Sequence, residues 1–166
     1  MSRNSSEELD RLATAVSRCV RLIKQPAYWQ TVTSIAGTTI DRPGAIILQI
    51  LDRQPCRLIE LAEQIGIEAP SISRKVHELT QSGLIESQTD PNDHRAHSLR
   101  LSTAGHALAL SLRKAQRTLL RNILKSWPED NKLQLVIMLE NLADSVSQYF
   151  TPSTKTEPFT LTGAGK

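Results

Sequence analysis

The side chains best suited to polar chemistry fall in two short stretches: Ser71, Ser73, Arg74, Lys75 and His77, and then Asp93, His94, Arg95 and His97. Their types favour hydrogen bonding and anion pairing. A guanidinium donates through two parallel N–H groups to a phosphate or to the acceptor pair of a guanine edge, and serine hydroxyls reach donors and acceptors alike. Catalysis needs something else, a convergent nucleophile, base or metal-ligand set. No Ser, His and Asp context, no zinc spacing and no glycine-rich phosphate loop occurs in the 166 residues. The chain therefore reads as a non-enzyme, with no cofactor and no metal.

The elements that must position these residues follow from apolar spacing. From Leu9, the residues Leu12, Val16, Cys19, Val20 and Ile23 mark a first amphipathic helix that ends before Pro26. Ala27 to Ile40 reads as a less regular stretch, after which Asp41 offers an N-cap with Pro43 in the first turn of a second helix. Arg57 to Ile65 is a short third helix broken by Gly66, and Ile72, Val76 and Leu79 recur at i, i+4 and i+7 in a fourth that stops at Ser82 and Gly83. That phase points Ser71, Ser73, Arg74 and His77 outward, with Lys75 the weaker candidate.

The period then changes. Leu84 to Ser87 and Ser98 to Ser102 are extended in character and joined by the turn-rich Asp90 to Asp93, which predicts a hairpin. A long helix from Thr103 runs to Trp127 and Pro128, a last one from Glu129 to Phe150, and the tail 151–166 reads as weakly ordered. Two short helices across a tight turn followed by a hairpin is the order of a winged helix-turn-helix, in which the second helix enters the major groove of DNA. The fold class is thus mainly α with a small β-hairpin wing. Residues 1–38 form an N-terminal dimerisation helix and connector, 39–104 the DNA-binding domain, and 105–150 C-terminal dimerisation helices.

Composition adds bounds. A net charge of +3 permits a polyanionic partner without demanding one, and several carboxylates between Arg57 and Asp93 leave any DNA contact to placed residues. No apolar run is long enough to span a bilayer, residues 1–10 lack the basic-then-apolar order of a secretory signal, and Cys19 and Cys56 lack metal or disulfide spacing, so a cytoplasmic protein is expected.

The run from Asp90 to Gly105 resembles the wing of the MarR family of transcriptional regulators. Asp93, Arg95, Leu99, Leu101, Thr103 and Gly105 occupy the family's positions, with Ser102 where a Thr is usual. Glu60-Leu61-Ala62, Ser71 to Arg74 and Gly83-Leu84-Ile85 extend the resemblance across the middle of the chain, whereas the terminal helices match only in pattern. The resemblance implies that Arg95 enters the minor groove while Asp93 orients it. His94 and His97 are minor phosphate candidates. It also implies a homodimer on a pseudo-palindromic site in double-stranded DNA, acting as a repressor, and a small amphipathic or aromatic effector in a cleft that Tyr28 and Trp29 could line.

Other readings stand beside these. Arg113, Arg117, Arg121 and Lys125 form an i, i+4 basic ladder, either an anion-binding or a solvated face. Cys19 is phased with Val16 and Ile23 as a packed cysteine, against a redox-sensing thiol. The alternative functions are a winged-helix module for protein–protein assembly and a thiol-based redox regulator acting through Cys19.

Overall fold

The computed structural model describes residues 3–90 and 93–150, with side chains described for 5–88 and 98–150. The described residues divide into two compact units, one up to residue 122 and the other from residue 123.

The first unit opens with α1 (Arg3–Lys24) and α2 (Pro26–Ala36). Gln25 is extended (φ −63°, ψ 144°) and Pro26 occupies the first turn of α2, where its missing N–H costs nothing. Gly37, at φ 67°, ends α2 in the left-handed region. The stretch expected to be less regular is therefore mostly helix. Its hydrophobic period is diluted by Thr31, Thr33 and Ser34, but Trp29 and Val32 are buried one turn apart, and that packing selects the helix.

Asp41 caps α3 (Arg42–Leu51), its Oδ1 accepting the Gly44 N–H at 3.0 Å. Then come β1 (Cys56–Arg57), α4 (Leu58–Ile65) and α5 (Ala69–Gln81). Glu60 reaches back from the first turn of α4 to accept the Arg57 N–H at 2.9 Å, and Gly66 (φ 70°) closes α4 before the turn into α5. β2 (Ile85–Asp90) and β3 (Asp93–Leu101) form the wing, antiparallel with Ile85 opposite Leu101 and Ser87 opposite Leu99. β1 adds a third strand, giving the order β1-β3-β2, with Cys56 opposite Leu99. Two residues carry no readable period, so β1 arises from tertiary pairing alone.

One continuous core joins these elements: Val32 of α2, Ile47 and Leu48 of α3, Leu61 of α4, Ile72 of α5, Ile85 of β2 and Leu112 of α6 (Thr103–Ile123) are all almost wholly buried. α6 ends at Ile123, short of the Trp127-Pro128 boundary expected, and residues 124–126 form a turn.

α1 departs from expectation in its packing. Cys19 is exposed, and Leu12 and Ile23 of the same stripe remain 52% and 49% exposed. The phase of the stripe is as read, but no element of the same unit covers it, so Cys19 is not a packed core cysteine within one chain. In the second unit, α7 (Glu129–Phe150) has no buried residue, and Leu133, Met138, Tyr149 and Phe150 are among its exposed apolar side chains.

Candidate nucleic-acid interface

The core side of α5 is fixed by three contacts: Ile72, Val76 and Leu79 are 2%, 7% and 5% exposed. The helix can therefore turn only its other face to solvent. Ser71, Ser73, Arg74 and His77 all lie on that exposed face. Pro70 in the first turn, followed by small side chains at 71 and 73, leaves the N-terminal end of the helix slim enough to enter a groove about as wide as a helix with side chains. None of these four side chains is engaged by another side chain among the described residues, so their donors and acceptors are open to an outside partner.

Lys75 differs. Its Nζ lies 2.8 Å from Asp41 Oδ2 and also donates to Glu78 Oε2, and its side chain is only 22% exposed. The bond to Asp41, and then that to Glu78, raises its pKa above the usual lysine value. Sequence reasoning assigned Asp41 to capping alone. The second use of its carboxylate has no local signature, because its partner is 34 residues away in the chain.

Behind α5 the wing is anchored by hydrogen bonds at its base. Ser102 accepts the Gly105 N–H through its hydroxyl at 3.0 Å, donates that hydroxyl to the Gly83 carbonyl at 2.6 Å, and its own N–H reaches the Leu84 carbonyl at 3.1 Å. One residue thus caps α6 and ties the strand end to the turn after α5. The serine hydroxyl alone does this, as a threonine hydroxyl at the same position could. Across the wing Arg100 pairs with Glu86 at 2.8 Å on directly opposed residues. The backbone of Asp93, His94, Arg95 and His97 belongs to β3, and their side chains lie outside the described residues.

Tyr28 and Trp29 stack edge to face with centroids 5.7 Å apart, and the Arg42 guanidinium stands 6.0 Å from the Trp29 ring centroid. Burial raises the Tyr28 pKa, so its phenol stays neutral. Trp29 is 9% exposed and packs as part of the core. Of the basic ladder on α6, Arg113 is paired with Asp52, which also accepts from His106 Nδ1 at 3.0 Å. Asp52 is at the end of α3, so Arg113 joins α3 to α6 and is not part of an open basic face. Among the described residues, no group of three or more His, Cys, Asp or Glu side chains is arranged to hold a metal ion, and no helix is long and apolar enough to cross a membrane.

The fold is shared with known proteins. Residues 44–97, which run from the start of α3 into the wing, match the model of the MarR family. The fold superposes on a MarR family protein from Bacillus stearothermophilus with a TM-score of 0.66 and 19% identity, over 89% of this chain and 99% of that one. A probable transcriptional regulator from Pseudomonas aeruginosa aligns at a TM-score of 0.61 and 25% identity, over 79% and 98% of the two chains. The wild-type MarR of E. coli in its apo form gives 0.63 and 18%, over 76% and 95%. The middle of the chain, from α3 into the wing, thus matches the MarR family model, on a winged-helix fold that solved MarR family proteins share along most of its length.

Proposed function

We propose that this protein is a sequence-specific DNA-binding regulator that occupies a pseudo-palindromic operator as a homodimer and represses transcription until an effector binds. The observation that carries the reading is the division of α5. Its apolar residues are spent on the core, while Ser71, Ser73, Arg74 and His77 stand exposed and unengaged on the side a recognition helix turns to the major groove. In this reading Arg74 donates to a guanine edge or a phosphate, the serine hydroxyls and His77 reach phosphates or base edges, and Arg95, oriented by Asp93 and flanked by His94, enters the minor groove.

The homodimer is supported by the apolar stripes that each unit leaves open. Leu12, Val20 and Ile23 on α1 and Leu133, Val136 and Leu139 on α7 are 45% or more exposed. Burying a side chain of this kind stabilises by roughly 1.5–3 kcal/mol, so covering both stripes with a second copy offsets the entropy of association. Two recognition helices related by a two-fold axis then read half-sites about one helical turn apart.

Effector control rests on the aromatic pair. Tyr28 and Trp29 sit on α2 directly before α3, whose first residue Arg42 holds its guanidinium 6.0 Å from the Trp29 ring centroid, so a small amphipathic or aromatic molecule bound there shifts the helix that supports α5.

Selection of the full-length protein against a pool of random duplexes tests the reading. Enrichment of an inverted repeat with half-sites about ten base pairs apart is the expected result. Recovery of no shared sequence would instead favour a winged-helix module for protein assembly.

A further inference from the structure

We infer that Asp41 is a positioning residue that withholds the Lys75 ammonium from DNA phosphates, so that α5 reads sequence with its uncommitted side chains instead of gripping any DNA by charge. This rests on the reading of α5 as a recognition helix.

The two oxygens of the Asp41 carboxylate serve different elements. Oδ1 accepts the Gly44 N–H at 3.0 Å and so is fixed by the first turn of α3, while Oδ2 holds Lys75 Nζ at 2.8 Å. A carboxylate oriented by a helix N-terminus is a rigid acceptor, and Glu78, one turn further along α5, closes on the ammonium from its own helix. The lysine is consequently drawn in, half-buried against its two carboxylate partners, although its neighbour Arg74 is exposed and unengaged.

A lysine next to the base-reading residues of a recognition helix ordinarily adds a phosphate contact. Such a contact is the same for every sequence, so it raises specific and non-specific binding together and steepens salt dependence by about 0.9 in the logarithmic slope. Pairing Lys75 within the fold removes that contribution. It also fastens the middle of α5 to the N-terminus of α3, the helix that leads from the aromatic pair.

Asp41→Asn separates the two uses of the side chain. The amide oxygen still caps α3, since asparagine is as good an N-cap as aspartate, but the other arm becomes an NH2 donor that repels the ammonium. The test is fluorescence anisotropy of the full-length protein over a salt series, on a duplex enriched from the random pool and on a scrambled duplex of the same composition. Wild type, Asp41→Asn, Lys75→Met and the double variant are compared, with a thermal melt of each to confirm folding.

Asp41→Asn is expected to bind the scrambled duplex more tightly than wild type, with a slope steeper by about one per protomer and a smaller specificity ratio. Lys75→Met alone should leave the slope as in wild type, and the double variant should return to it. An unchanged slope in a folded Asp41→Asn would overturn the inference. So would a flatter slope in Lys75→Met alone, since Lys75 would then already be on a phosphate; that arm holds even if Asp41→Asn fails to fold. Wild type that does not prefer the enriched duplex removes the regulator reading itself, whereas a wild-type preference that Asp41→Asn leaves intact removes only the role of Asp41.

Discussion

Gly105 lies against the backbone of Leu84 so closely that a Cβ built on it would sit 2.1 Å from the Leu84 carbonyl oxygen. That oxygen also accepts the Ser102 N–H, so it cannot move aside without loosening the base of the wing. In an exposed helix, glycine to alanine stabilises by up to about 1 kcal/mol. Here the sign is reversed: Gly105→Ala should destabilise by about 3 kcal/mol, as overpacking against backbone does. A urea denaturation midpoint reads the change, and an increased midpoint would mean that α6 is free to shift away from the wing.

Ser102 makes a related prediction. Its hydroxyl caps α6 and reaches the Gly83 carbonyl, so Ser102→Ala should cost about 1–2 kcal/mol, whereas Ser102→Thr, which keeps the hydroxyl, should cost far less. Both values come from the same denaturation measurement. Equal losses would show that the side chain matters through its size alone.

The cysteines should report on assembly. Burial, followed by the charge of Glu60, pushes the Cys56 thiol up, and the residue is 4% exposed opposite Leu99, so it should resist alkylation until the protein unfolds. Cys19 is exposed on the open stripe of α1. If a second copy covers that stripe, the rate of Cys19 modification by iodoacetamide should fall as protein concentration rises through the dimerisation range. A rate that does not depend on concentration would place the dimer contact elsewhere.

Lys75 allows a prediction with a definite sign. Its pKa is raised in the fold, by Asp41 first, so its contribution to stability is fully present below the ordinary lysine range and is lost as pH rises through the raised value. The stability gap between wild type and Lys75→Met should therefore stay constant across neutral pH and narrow only in strong alkali. Chemical denaturation at a series of pH values checks it, and a gap that closes near neutrality would show that the pairing does not stabilise the fold.

What could be read from the sequence followed from how local each signal is. α3, α4, α5 and α7 are announced by apolar spacing together with Asp41, Gly66, Pro70 and Pro128 at their ends, all within one or two turns of the chain. The exposed face of α5 could be derived from Ile72, Val76 and Leu79 for the same reason. α2 escaped because its polar residues hide a period that only the packing of Trp29 and Val32 reveals. β1 escaped because two residues paired with Leu99 and Ser98 leave no pattern of their own. The Asp41–Lys75 and Asp52–Arg113 pairs join residues far apart in sequence, and nothing in the spacing of either could have named the other. Cys19 shows the converse limit: helical phase says which side of α1 is apolar, but not whether one chain or two are needed to cover it.

If the exposed side chains of α5 and the wing arginine read DNA, as proposed, binding must depend on both sequence and these side chains. That dependence is tested most directly by an anisotropy titration of the full-length protein on the intergenic DNA upstream of its own gene and on a scrambled duplex, at two salt concentrations, for wild type, Arg74→Ala and Arg95→Ala. Wild type should bind its upstream DNA at least a thousandfold more tightly than the scrambled duplex, the lower end of what specific recognition gives. Arg74→Ala should lose roughly 1–3 kcal/mol of that preference through a lost base contact, and Arg95→Ala should bind more weakly with a flatter salt slope. Equal affinity of wild type for both duplexes at both salt concentrations, unmoved by either substitution, would contradict the account.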